Sequence, residues 1–125
     1  MYSLSVSRSF VAQHYLTVPD PGPEGEPHSH HFTLEATFEG PTLDEWGYVL
    51  DIEAVETAVD ETVATFRDEL LNDLPAFEGA NPSVEHLART FGDELLARVD
   101  ASNATGLTVS VREDDVATVA HTREL

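Results

Sequence analysis

Along His28-Ser29-His30-His31-Phe32-Thr33-Leu34-Glu35-Ala36-Thr37-Phe38-Glu39, the residues Phe32, Leu34, Ala36 and Phe38 fall on one side of an extended backbone and His31, Thr33, Glu35 and Thr37 on the other. That period of two marks a half-buried strand. His28 and His30 stand two positions apart, so their imidazoles leave one face of the strand together while His31 leaves the other. The strand alone therefore aligns two candidate metal ligands.

The same alternation runs through the N-terminal segment. Tyr2, Leu4 and Val6 alternate with Ser3, Ser5 and Ser7, and the pattern continues through Phe10 and Ala12, predicting a strand over roughly residues 2 to 13 with His14 at its far end. Between the two strands, Pro19, Pro21, Pro23 and Pro27 exclude both a helix and a central strand over Thr17 to Pro27, so a loop joins them as an antiparallel pair. Beyond Gly40-Pro41 and a short connection at Trp46 to Leu50, Asp51 is placed to cap a helix carrying Ile52, Val55, Val59, Val63 and Phe66 at helical spacing. Asn72 to Pro82 is turn-rich. Ser83 then caps a second helix with Val84, Leu87, Ala88, Phe91, Leu95 and Val99 on one stripe, which Gly92 weakens only modestly. Leu107, Val109 and Val111 form a third strand, Asp114-Asp115 a turn, and Val116 to Thr122 a fourth strand. The order ββααββ, without internal repeat, describes one α+β domain over residues 1–125, with both helices on one face of an antiparallel sheet.

Twenty-four acids face six bases for a net charge of −18, and every base is arginine. Such a surface repels itself unless salt screens it, and at about 1 M salt the Debye length falls to roughly 3 Å. The composition suits the cytoplasm of an extreme halophile. The acids are spread along the chain rather than gathered into a patch for a basic partner, and nucleic-acid binding is disfavoured because it needs clustered Lys and Arg. There is no cysteine, hence neither a disulfide nor a thiolate nucleophile, as expected of an intracellular protein. No basic-then-apolar leader opens the chain and no apolar run approaches the ~18 residues of a membrane span, so a soluble cytoplasmic protein is expected.

If the loop pairs the first two strands, His14 joins His28 and His30. Three neutral imidazoles with a fourth position open form the arrangement of a catalytic zinc site, where the metal polarises a bound hydroxyl or carbonyl. By spacing alone, exposed histidines at a strand end are the alternative.

Collinear motifs carry the reading further. Phe10-Val11-Ala12-Gln13-His14 resembles the F-x-A-x-H motif of the 6-pyruvoyltetrahydropterin synthase and 6-carboxytetrahydropterin synthase family, and His28-Ser29-His30-His31-Phe32 resembles its H-G-H-x-aromatic strand. Gly47-Tyr48-Val49-Leu50-Asp51-Ile52 is similar to G-x-V-x-D-F, Leu71-Asn72 to the L-N that ends the central motif, and Asn81-Pro82-Ser83-Val84-Glu85 to N-P-T-x-E. Val111-Arg112-Glu113 resembles the last-hairpin segment that carries the pterin-anchoring glutamate. The resemblance implies a tunnelling fold in which ββααββ subunits close sheets into a barrel, typically a homohexamer with active sites between subunits. It also implies zinc on His14, His28 and His30, and a small pterin substrate held at Glu113, with Ser83 among the substrate-binding residues. The substrate implied is 7,8-dihydroneopterin triphosphate, converted to 6-pyruvoyl- or 6-carboxytetrahydropterin or to a side-chain-cleaved pterin, on a route to modified tRNA bases or a folate-like branch. A carboxylate suits the anchor because it accepts two parallel hydrogen bonds from adjacent amino and ring N–H donors.

Two departures separate metal binding from turnover. The family's cysteine base is missing; Glu24, four residues before His28, stands near its place and Glu26 two residues before, so these glutamates are the candidate catalytic bases. The Asp-His pair ahead of x-x-L-N is replaced by Arg67-Asp68, which removes the relay histidine; His86 and His121 read as polar surface residues and Arg67 as a solvated helix end. The alternative to a lyase is a zinc- and pterin-binding homologue that has lost the original reaction and acts on, or only binds, another pterin-like ligand.

Overall fold

The computed structural model describes residues 1–125. Strands β1 (Tyr2–His14) and β2 (His28–Gly40) form a long antiparallel hairpin, followed by helices α1 (Ile52–Phe66) and α2 (Val84–Leu96) and a second hairpin, β3 (Gly106–Glu113) and β4 (Ala117–Glu124). The sheet order is β1-β2-β3-β4, antiparallel throughout. No helix is long and apolar enough to cross a membrane.

Register follows from which residues must be buried. Val6, Phe10, Ala12 and His14 of β1 share the helix-facing side with Phe32, Leu34, Ala36 and Phe38 of β2 and with Leu107, Val109 and Val111 of β3. The opposite face is a hydroxyl surface, with cross-strand pairs Ser5–Thr37 at 2.7 Å, Ser9–Thr33 at 3.2 Å and Thr108–Thr122 at 2.9 Å. Phe10 and Phe32, 5.7 Å apart by ring centroids, join the sheet to Phe66 of α1, and Phe66 in turn stacks on Phe91 of α2 at 5.7 Å. One apolar layer thus ties both helices to the hairpin that carries the histidines.

Asp51 accepts a hydrogen bond from the Glu53 N–H at 3.0 Å, and Ser83 accepts one from His86 N–H at 3.1 Å, so both expected helix caps are present. After α1, residues 67–70 turn back along the free side of β1. The Asp68 N–H donates to Val11 O at 2.7 Å, and the Gln13 N–H donates to Glu69 O at 2.9 Å. That short parallel pairing steadies the end of β1 where His14 sits.

Several boundaries differ from the sequence reading for local reasons. Ile52, at the first position of α1, points to solvent, since the buried stripe begins at Val55. Val99 lies past the end of α2, though it still packs on the core. Val116 belongs to the turn, its N–H bonded to Glu113 O at 3.2 Å, and β4 starts one residue later. The proline-rich connection also holds one 3-10 turn, Gly22–Gly25.

Candidate metal centre

His14 and His28 are direct partners across the β1–β2 hairpin, and His30 pairs with Ala12. All three rings therefore emerge at one end of the sheet, on the side facing the helices. Their centroids lie 4.6, 5.0 and 4.8 Å apart, with the rings nearly edge to face. One ring nitrogen of each lies within 4.8 Å of the others. A tetrahedral zinc with Zn–N near 2.1 Å needs about 3.4 Å between donors, a separation that falls within this limit.

The outer hydrogen bonds decide which nitrogen each ring offers. His14 Nδ1 lies 2.9 Å from Pro82 O, His28 Nδ1 2.8 Å from Glu26 O, and His30 Nδ1 2.8 Å from the Asp114 carboxylate. Each partner oxygen can only accept, so each Nδ1 carries the proton and each neutral ring keeps its lone pair on Nε2. The Nε2 atoms of His28 and His30 are buried without a hydrogen-bond partner. Buried acceptors left unmet are costly, and a shared cation is the chemistry that would satisfy them. His14 is 3% exposed. Burial above all holds its pKa below the ordinary 6.5, against the opposing effect of the bond to Pro82 O. The residues present fit a three-histidine zinc site.

A cavity of about 190 Å³ opens beside the rings, lined by His14, His30, Glu24, Ser83, Glu113 and Asn81 together with Leu16 and Val84. Glu113, the last residue of β3, extends its carboxylate to 3.8 Å from His30 Nε2. Glu24 reaches the cavity from the 3-10 turn, whose position is fixed by a 2.8 Å bond from Leu16 N–H to Glu24 O. Ser83 stands at the N-cap of α2. Glu26 is placed differently: it is absent from the cavity wall, and its contribution is the carbonyl that orients His28.

The other polar residues lie elsewhere. Arg67 caps α1 and is exposed, and Asp68 is exposed in a left-handed turn at φ 61°. His86 donates from Nδ1 to Asn81 O at 2.8 Å, in the loop just ahead of α2. His121, expected at the surface, is half-buried on the helix side of β4, with Nδ1 enclosed and unpartnered. Sequence reasoning missed Asp114 as a partner of His30, as well as the carbonyls of Pro82 and Glu26.

A family model described as 6-pyruvoyl tetrahydropterin synthase matches residues 3–124. The 6-pyruvoyl tetrahydropterin synthase of Caenorhabditis elegans shares the fold at a TM-score of 0.83 and 18% identity, over 98% of this chain and 95% of that one. A Plasmodium vivax 6-pyruvoyltetrahydropterin synthase, in a variant whose catalytic glutamate is replaced by alanine, shares it at 0.82 and 14%, over 99% of this chain and 98% of that one. An archaeosine synthase QueF-Like is more distant, with a TM-score of 0.51 at 16% identity, over 98% of this chain and 91% of that one. No curated protein matches the sequence. With the family pattern running through nearly every residue, and the four-stranded sheet and two helices shared end to end, this chain belongs to the 6-pyruvoyl tetrahydropterin synthase family, α+β T-fold lyases of pterin metabolism.

Proposed function

We propose that the protein is a zinc-dependent lyase that acts on 7,8-dihydroneopterin triphosphate, giving either a 6-substituted tetrahydropterin with loss of triphosphate or a side-chain-cleaved pterin whose departing aldehyde fragment keeps the triphosphate. The observation that carries this reading is the convergence of three imidazoles, each with its proton held on Nδ1, beside a carboxylate 3.8 Å from His30 Nε2. Bound zinc would act as a Lewis acid on a hydroxyl or carbonyl of the pterin side chain. Glu113 would hold the pterin ring by accepting from its amino group and adjacent ring N–H, fixing the side chain toward the histidines. Ser83 Oγ and Asn81 offer further polar contacts on the cavity wall.

Glu24 is the proposed proton acceptor. It lines the same cavity as His14 and His30, and a carboxylate near the reacting carbon can take up a proton as the cysteine of other members does. The catalytic glutamate of the Plasmodium vivax relative is a precedent for a carboxylate in the reaction. Glu26, which is not part of the cavity wall, is the weaker candidate. The cavity is smaller than the roughly 300–1,000 Å³ of a complete small-molecule site, which supports a homo-oligomer, a hexamer in this reading, whose second copy finishes the enclosure. The acidic, lysine-free composition supports a protein working in the salt-rich cytoplasm of a halophile.

The test is to load the purified protein with zinc in concentrated salt, supply 7,8-dihydroneopterin triphosphate, and follow triphosphate release and pterin products. Turnover that falls at least a hundredfold in Glu24→Gln with pterin binding retained is the expected result. Pterin binding without turnover in the parent protein would establish the second reading, a binding homologue, which the absent cysteine and Asp-His pair favour. Glu113→Ala is expected to lose pterin and keep zinc; loss of zinc instead would make Glu113 a fourth ligand.

A further inference from the structure

Asp114 does more than close the β3–β4 turn. Its backbone N–H donates to His31 O at 2.7 Å, and its Oδ1 accepts from His31 N–H at 3.0 Å, so the residue clamps both main-chain groups of the position next to His30. Its second oxygen, Oδ2, accepts from His30 Nδ1 at 2.8 Å. The clamp works because Asp114 adopts φ 51°, a left-handed conformation that aspartate tolerates better than most residues and that turns its short side chain back over β2. Pairing between β2 and β3 ends at Phe32 and Glu113, so Asp114 extends the ladder by one residue to the point where the ligand leaves the strand.

The three histidines are therefore not held alike. His14 and His28 donate to carbonyls, of Pro82 and Glu26, whereas His30 donates to a carboxylate. A carboxylate draws the Nδ1 proton more strongly, which makes Nε2 a better electron donor and holds the ring in one orientation. Consecutive residues then bracket the same imidazole, Glu113 on the Nε2 side and Asp114 on the Nδ1 side.

We propose that Asp114 is a positioning residue of the metal centre, the carboxylate that fixes the tautomer and direction of His30 and so sets the affinity of the site for a divalent cation. The proposal rests on the zinc reading above and deepens it. Asparagine is a poor substitute on geometric grounds. The two donors, His30 Nδ1–H and His31 N–H, require two accepting oxygens, and an amide offers one oxygen and one NH₂ that must face a donor.

The experiment measures zinc affinity of the metal-stripped full chain by competition with a chromophoric chelator, and the visible spectrum of the cobalt-substituted form. Asp114→Ala is expected to weaken zinc by about 10- to 100-fold and to alter the cobalt spectrum at saturation, with Asp114→Asn between it and the parent. Asp115→Ala is the control. It removes the same charge from the same turn, but Asp115 pairs with Arg112 at 3.3 Å and is almost fully exposed, so zinc affinity should change by less than about threefold. Unchanged affinity in Asp114→Ala overturns the proposal, and so does equal weakening by Asp114→Ala and Asp115→Ala. Should Asp114→Ala not fold, Asp114→Asn decides, an undiminished affinity again overturning the role. A parent chain that fails to bind zinc sinks the metal reading with it, whereas a parent that binds zinc regardless of residue 114 sinks this proposal alone.

Discussion

Zinc should raise the melting temperature of the metal-stripped protein by roughly 10 °C when present at a hundredfold excess over its Kd. In the folded chain His28 Nε2 and His30 Nε2 are buried and unmet, each costing about 1–3 kcal/mol that a shared cation would relieve. A ligand that binds only the folded state at a hundredfold excess adds about 2.7 kcal/mol of stability. Unfolding entropy near 2.1 cal/mol/K per residue gives about 0.26 kcal/mol/K for 125 residues, and the ratio of the two is the expected shift. Circular dichroism melts in concentrated potassium chloride, with and without zinc, supply the measurement. His28→Ala removes one ligand at the mouth of the hairpin, outside the apolar core, and should abolish most of the rise. A rise that survives His28→Ala, or none in the parent chain at zinc levels that saturate an equilibrium titration, refutes the reasoning.

Gly92→Ala should destabilise the protein by about 1 kcal/mol in urea titrations. A helix interior favours alanine by up to about 1 kcal/mol, but the added Cβ would stand 2.7 Å from Arg123 Nη2, displacing a guanidinium that bonds Arg89 O and Asp93, and overpacking of this kind costs about 1–3 kcal/mol. A stabilised variant would show that Arg123 moves freely. Stability of the stripped chain should also fall with pH. His14 titrates below its ordinary 6.5 because burial disfavours its charged form, so the unfolded chain takes up the proton first, and stability is lost as pH drops from 6.5 through the lowered value. Asp114, held below the usual carboxylate range by its bonds to His30 and His31, adds a loss at lower pH still. Urea midpoints measured downward from neutral pH check the direction, and a midpoint flat between neutrality and pH 5 contradicts it. Finally, self-repulsion at −18 should make the urea midpoint climb steeply as potassium chloride is raised from low to molar concentration; salt-independent stability would argue against the halophilic reading.

The strands were legible because one sheet face is buried and the other is polar and rich in hydroxyls, a contrast written into the alternate residues of β1 and β2 except at Arg8, which stands on the helix side and pairs with Glu56 and Asp60 of α1. Helix starts were legible through Asp51 and Ser83, whose side chains accept N–H bonds close by in sequence. Ends were harder. Val99 and Val116 are apolar for reasons of packing or position in a turn, and periodicity cannot separate those cases from a continued element. In the site, the strand period places His28 and His30 on one face, and hairpin register brings His14 to His28. The partners of those rings were not legible. Pro82 and Glu26 act through main-chain carbonyls, which leave no residue-type signature, and Asp114 acts through a left-handed turn that reaches across to a neighbouring strand. Glu24 and Glu26 were indistinguishable by spacing, and only the fold of the 3-10 turn sets one in the cavity wall and the other outside it.

The meeting of His14 and His28 across the mouth of the β1–β2 hairpin makes the site modular. The ligands are anchored by paired backbone, while residues 15–27, including Glu24, form a closed insert whose two ends are held together by the sheet. Such an insert can be exchanged for one of different length or chemistry with the bonds of His14 to Pro82 O and of His30 to Asp114 left standing, provided a carbonyl is kept where Glu26 O meets His28. On the proposed role of Glu24, the proton-handling group of this site is then open to exchange by loop replacement alone, and a grafted loop from a relative offers protein engineers the same freedom.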